Sequence, residues 1–206
     1  MRSQRYSAVF FLVITLLALL FVSPAVERLL VLPRTDFYTE FWLLDSKGAA
    51  ENYLFNISSN ERVTGSLGIG NNIGYCAYYL VQVKFRNQTQ SAADSFEHTA
   101  SSLSSIYNMT VFVADREVWE MPISFSFNYT VDRYNASLRQ VKFDTLRFND
   151  LSLDIGKYTA VWDPFARVFF GNLFFELWIY NDSVGDFQYH DRYVGFGFNM
   201  TQVHSG

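Results

Sequence analysis

The stretch Glu117-Val118-Trp119-Glu120-Met121-Pro122-Ile123-Ser124-Phe125-Ser126-Phe127-Asn128-Tyr129-Thr130 decides the fold class. Trp119, Met121, Ile123, Phe125, Phe127 and Tyr129 recur at every second position, and Glu120, Ser124, Ser126 and Asn128 stand between them. A period of two puts the rings on one face of a strand and the polar set on the other; a helix would need a period of 3.6. Pro122 has no N–H for a ladder and predicts an edge or a bulge there.

In 75–86, Tyr75, Ala77, Tyr79, Val81, Val83 and Phe85 share one face, and Gln82, Lys84 and Arg86 share the other. In 61–70, Val63, Leu67 and Ile69 alternate with Arg62, Thr64 and Ser66. Further strands are predicted at 37–44, 108–114, 138–148, 151–155, 172–180 and 192–198. One short helix is predicted over 95–106, capped by Asp94, with Glu97 at the third helical position and Phe96, Ala100 and Leu103 on one face. About eight short strands with turn residues between them predict an all-β fold, an antiparallel two-sheet immunoglobulin-like sandwich. No internal repeat or low-complexity tract interrupts it.

Composition agrees with a packed domain. The 206 residues are 50 % hydrophobic and 17 % charged, with 4 Trp, 13 Tyr and 21 Phe. Disordered chains show the reverse balance, and rings suit a half-buried pleated surface. The net charge of −4 leaves no basic patch for a phosphate backbone, so nucleic acid is not expected as a partner. Cys76 is the one cysteine, which excludes an internal disulfide and a cysteine zinc cluster. Its apolar neighbours predict a buried small hydrophobe.

The N-terminus carries Arg2 and Arg5 before an apolar run from Ala8 to Val22 whose one polar member is Thr15. From Ser7 to Val26 the run is about the length that crosses ~30 Å of hydrocarbon. It predicts a cytoplasmic basic tip at 1–6, a single transmembrane helix at 7–27, a linker at 28–36 and an extracellular β-domain at 37–206. The flanking charge puts the N-terminus inside a cell membrane crossed once. A cleaved signal peptide cut after Ala25 competes with this, because Ser23 and Ala25 are small; the length favours the anchor.

Asn-x-Ser/Thr occurs at Asn56, Asn87, Asn108, Asn128, Asn135, Asn181 and Asn199. Random placement would give about two. The excess predicts N-linked glycans, which keep an aromatic, charge-poor surface wet, and it puts Asn128 on the polar face of its strand.

No catalytic signature is present. His98, His190 and His204 lie on separate segments, and Gly68-x-Gly70-x-x-x-Gly74 has the wrong spacing for a dinucleotide loop. Glu117 and Glu120, with Glu40 beside Trp42, are the carboxylates a glycosidase would use. Asn181, Asp182 and Asp186, and Asn149, Asp150 and Asp154, could offer oxygens to calcium but read as turns. Trp42, Trp162 and Trp178 could stack on sugar, although core packing is the ordinary role. No cofactor, metal or enzyme activity is expected.

Thr39-Glu40-Phe41-Trp42, Gly48-Ala49-Ala50, Tyr53, Gly68-Ile69-Gly70-Asn71, Glu117-Val118-Trp119-Glu120 and Leu177-Trp178-Ile179 follow one another in order. The series over about 36–181 resembles the archaeal membrane-protein family of unknown function catalogued as DUF1616. It departs at Leu54, where the family often has Pro, and in lacking an acidic residue after Asn71. The resemblance implies an archaeal envelope protein with a β-sandwich exterior and no established reaction. The sequence therefore predicts a membrane-tethered, N-glycosylated cell-surface protein with a structural or assembly role. Its expected partners are the lipid bilayer and other envelope or membrane-complex proteins. An extracellular carbohydrate- or small-ligand-binding module is the alternative, and an envelope glycoside hydrolase the minor one.

Overall fold

The computed structural model describes residues 10–18, 37–50, 55–132 and 140–200. The chain divides into two compact units, Met1–Asp36 and Phe37–Gly206.

In the first unit the described residues are one helix, α1 (10–18), nine residues and about 14 Å long. Thr15 tolerates the helix by donating its hydroxyl to the Phe11 carbonyl at 2.8 Å. Among the described residues no helix is long and apolar enough to cross a membrane. This corrects the expected transmembrane helix at 7–27, and with it the single-pass cell-membrane placement. Residues 7–9 and 19–27 of that span, and the Ala25 cut, lie outside the described residues.

The second unit is built of strands β1 (Tyr38–Asp45), β2 (Phe55–Ile57), β3 (Val63–Asn72), β4 (Ala77–Asn87), β5 (Tyr107–Val113) and β6 (Val118–Asp132). β7 (Gln140–Phe148), β8 (Leu151–Asp154), β9 (Thr159–Asp163), β10 (Val168–Asn181) and β11 (Asp186–Met200) complete it. All eleven belong to one sheet, in the order β1-β3-β6-β7-β9-β10-β11-β2, with β4 and then β5 added on β10 and β8 on β7. Every pairing is antiparallel except β11 with β2.

The two-sheet immunoglobulin-like sandwich is thereby corrected to a curled half-barrel. The reason is β9, which the sequence reading missed. Its Thr159–Val161 pair with β7, and its Trp162 and Asp163 pair with β10, so the ladder runs from one half into the other. The sheet curls because the inner faces of both halves are rings. Phe85 of β4 meets Phe143 of β7 at 4.9 Å, and Phe127 of β6 meets Phe198 of β11 at 5.1 Å. Edge-to-face and tilted ring pairs add to the area they bury.

The alternation in 75–86 holds from Ala77 onward, where Ala77, Tyr79, Val81, Val83 and Phe85 are all buried. Tyr75 and Cys76 precede the strand and are exposed, which corrects the expected burial of the thiol. Ile123, Phe125, Phe127 and Tyr129 are buried as alternation requires. Pro122 lies where β6 carries β3 alone, since β7 joins only from Phe125.

The helix expected at 95–106 is absent. Asp94 Oδ1 does accept from the Phe96 and Glu97 amides, at 2.8 and 3.0 Å. His98 then turns left-handed (φ 53°) and Thr99 pairs back onto Asp94. Phe96 is exposed, so the helix would have had no apolar stripe to bury.

Candidate functional site

The outer face of β5, β4, β10 and β11 carries chemistry that alternation alone did not reveal. Tyr78 stands opposite Phe112, and Tyr180 opposite Phe187. Tyr79 pairs with Ile179, which brings Tyr78 beside Tyr180. One aromatic residue from each of four neighbouring strands thus forms a row. Tyr78 and Phe112 stack at 4.1 Å with a 12° interplanar angle, Tyr78 meets Phe187 at 5.1 Å, and Tyr180 meets Phe187 at 5.4 Å. Phe112 remains 69 % exposed and Tyr180 37 %. Because each ring is faced by a neighbour, the row offers edges more than a flat platform.

A second row, Leu80, Trp178 and Tyr189, follows by register. Beyond it the face is covered by the segment 88–106, and there Lys84 and Glu176 are buried, with side chains 3 % and 0 % exposed. Lys84 Nζ donates to Glu176 Oε2 at 2.7 Å and to the Ser101 carbonyl at 3.0 Å. Glu176 Oε1 accepts from the Ser101 amide at 2.8 Å, and Oε2 also accepts from Trp178 Nε1 at 3.3 Å. A buried charge is tolerable only when paired and hydrogen-bonded in this way. Alternation put Lys84 on the face opposite Val83 and Phe85; the covering segment buries that face here. Trp178 is thus a donor to this pair, while Trp162 packs against Phe169 at 4.9 Å.

A polar chain joins β11 to β1, β3 and β4. His190 Nε2 lies 2.7 Å from Thr39 Oγ1, Thr39 Oγ1 lies 3.1 Å from the Tyr79 hydroxyl, and that hydroxyl donates to Asn71 Oδ1 at 3.2 Å. Since Tyr79 donates to Asn71, it accepts from Thr39, and Thr39 accepts from His190 Nε2–H. Burial, and then the Arg192 charge, hold the His190 pKa below 6.5, with Asp191 opposing. Burial raises the Tyr79 pKa. His98 is on a different segment, 2.7 Å from Asp191, and His204 lies outside the described residues.

On the other half, Trp42 of β1 lies across Gly68 of β3, so that a Cβ there would collide with the indole. Glu40 folds over Gly70, and Glu120 of β6 stands opposite Gly68 from the far side. Glu40 and Glu120 are therefore two strands apart, about 10 Å between strand axes. Glu117 sits in the turn before β6.

Among the described residues no group of three or more His, Cys, Asp or Glu could hold a metal. The oxygens considered for calcium are used within the fold: Asn181 Oδ1 accepts from the Ser183 amide and Asp154 Oδ1 from the Gly156 amide in local turns, and Asn149 Oδ1 accepts across the sheet from the Ser124 amide.

Of the glycosylation acceptors, Asn56, Asn108 and Asn128 are exposed. Asn181 Nδ2 donates to Gln188, and Asn199 Nδ2 donates to Asn56 Oδ1, each at 2.8 Å. Asn87 is 8 % exposed and its Nδ2 donates to the Thr159 carbonyl at 2.8 Å. Asn135 lies outside the described residues.

No protein-family model matches the chain, and no curated protein matches it. Solved structures similar to it include the β-glucosidase EmGH1 of Erythrobacter marinus, at 8 % identity and TM-score 0.35, covering 80 % of this chain and 16 % of that one. A family 123 glycoside hydrolase from Clostridium perfringens matches at 7 % identity and TM-score 0.37, covering 81 % and 28 %. The PapD-like domain of human CEP192 matches at 9 % identity and TM-score 0.33, covering 86 % and 95 %. The chain spans about a sixth of the length of the β-glucosidases it matches.

Proposed function

We propose that this chain is a non-catalytic, N-glycosylated domain with a structural or assembly role, and that it meets partner proteins through the outer face of β5, β4, β10 and β11. The observation that carries the reading is the row Phe112, Tyr78, Tyr180 and Phe187, which leaves rings in water on a face that already has a core behind it. Contiguous exposed apolar groups of this kind mark interaction surfaces, and Tyr and Phe are enriched at the buried centre of protein interfaces. Asn108 shares the outward side of β5 with Phe112, four residues and about 13 Å away, so a glycan there borders the contact area. Phe112→Ser with Tyr180→Ser, compared with the native chain by co-purification from the native host, tests it. Loss of partners at an unchanged unfolding midpoint is expected; a native chain recovered only as an isolated monomer refutes it.

Carbohydrate binding is the second reading, favoured by the Trp42 indole lying over Gly68 with Glu40 and Glu120 beside it. A ring flat on a sheet can stack on a pyranose while carboxylates accept from its hydroxyls. A glycan array probed with glycosylated protein and with Trp42→Ala decides it, and an empty array removes it. The hydrolase reading is tested by Glu40→Gln, Glu117→Gln and Glu120→Gln; polysaccharide cleavage lost in one of them would replace the non-catalytic proposal.

A further inference from the structure

The outer face of β3, β6 and β7 contains a shallow trough at the end remote from Trp42. One part, about 250 Å³, is lined by Asn60, Arg62, Ser126, Arg147 and Asp150; it continues into a part of about 430 Å³ past Thr64 to Pro122. Ser126 stands opposite Arg147, and Val63 opposite Phe125, so Arg62 comes beside Ser126 from the other side. Two guanidiniums thus flank one serine across three neighbouring strands. Arg62 Nη2 donates to Ser124 Oγ at 3.1 Å, and neither Arg62 nor Arg147 has a carboxylate within ion-pair distance among the described residues. Ser124 and Ser126 form a nearly buried floor.

The rims are fixed. Asn60 (φ 64°) donates its amide to the Phe127 carbonyl at 2.7 Å. Asn149 (φ 50°) makes the two-residue turn into β8, exchanging its amide and side-chain oxygen with the Ser124 backbone at 2.7 Å each. Left-handed asparagines held by their own hydrogen bonds keep the trough open at both sides. In a chain of net charge −4, two unpaired guanidinium forks over a hydroxyl floor have one natural complement, a planar or tetrahedral oxyanion bound through paired N–H donors.

We propose that this trough binds an anionic ligand through a carboxylate or sulfate group held between Arg62 and Arg147, with Ser126 donating from below. The elongated continuation past Thr64 suits a ligand of several units, so an acidic oligosaccharide is the class that uses all of it. Asp150 on the rim repels a second anionic group at the arginines, so one carboxylate of the ligand sits there and any others lie along the continuation. The site is independent of the aromatic row on β5, β4, β10 and β11, and does not rest on the role proposed for it. Asn128 lies two positions beyond Ser126 on the same face of β6, so the measurements use both the glycosylated chain and Asn128→Gln.

The test is titration calorimetry of the full chain with trigalacturonate, with the neutral galactose trisaccharide and with sodium sulfate. Saturable binding of trigalacturonate that weakens with salt, with no heat from the neutral sugar, is expected. Arg62→Gln with Arg147→Gln is expected to weaken it by about tenfold or more. Arg62→Lys with Arg147→Lys keeps the charge, removes the fork and is expected to fall between; it also serves if the glutamine variant does not fold. Saturation by sulfate alone would uphold the oxyanion site and assign it to a free anion. No binding of either anion, or binding equal in the arginine variants and the native chain, overturns the proposal.

Discussion

Lys84→Met removes the one basic partner that Glu176, a fully buried carboxylate, has among the described residues. The native pair has four polar contacts: Lys84 to Glu176, Lys84 to the Ser101 carbonyl, and Glu176 with the Ser101 amide and the Trp178 indole. Methionine fills the same space, so no cavity complicates the reading. Glu176 keeps two neutral donors but loses the cation, and breaking a buried pair from one side costs about 3–5 kcal/mol. Single domains have about 5–15 kcal/mol in total, so the variant retains a fraction of the native stability. With a urea slope of about 2 kcal/mol per molar, the midpoint falls by about 2 M. Glu176→Leu alone strands the ammonium and is similarly costly, whereas Lys84→Met with Glu176→Leu is expected near native stability, because replacing both charges removes both desolvation penalties. The cycle therefore gives a coupling energy of several kcal/mol between residues of β4 and β10. The assay is equilibrium urea unfolding by circular dichroism. A loss under about 1 kcal/mol for Lys84→Met, the value of a solvated surface pair, would refute the claim that 88–106 seals this face.

Gly65→Ala puts a Cβ into the Leu44 carbonyl oxygen and near Phe196, and its expected cost is about 3 kcal/mol, the upper end for overpacking; Gly185→Ala meets open space but keeps φ 75°, and costs about 1–2 kcal/mol, both by urea unfolding. His190 has a folded pKa below its ordinary 6.5, so the folded state binds fewer protons than the unfolded one in acid. Its contribution is complete above about pH 6.5 and is lost as pH falls through the lowered folded value; His190→Gln is expected to flatten that part of the stability curve. Glycopeptide mapping of native protein is expected to find Asn108 and Asn128 carrying glycan and Asn87 bare, since its amide is buried against Thr159; a glycan on Asn87 would show that the turn at 87–90 is open.

The inner faces of the sheet were legible in the sequence because a one-sided strand writes its burial in every second residue. Phe125 to Tyr129 and Ala77 to Phe85 show it. The outer face was not legible. Alternation says that Lys84 and Tyr78 point away from the core, but not that segment 88–106 returns to cover one while the other is half-buried in a row of rings. The charge of Glu176 inside Phe174-Phe175-Glu176-Leu177 was a usable signal of a buried partner. Sheet closure was hidden in Thr159-Ala160-Val161-Trp162-Asp163, five residues with too few alternations to declare a strand that serves two neighbours. Asp94 and Glu97 signalled a helix start, yet the same amide bonds close a tight turn, and only burial of Phe96 could have distinguished them. The expected anchor was read from the length of the apolar run and its flanking arginines; among the described residues α1 covers nine positions, and no helix there is long and apolar enough to cross. The aromatic row and the Arg62–Ser126–Arg147 row depend on cross-strand register, which no single segment encodes.

The row led by Phe112 is proposed as a contact face and not as an exposed remnant of the core. Site-specific photo-crosslinking from position 112 in the native host, read by mass spectrometry, tests it most directly. A covalent adduct with another protein is expected at 112, and none when the same group is placed at the exposed Phe165. Adducts at neither position, or equally at both, would contradict it.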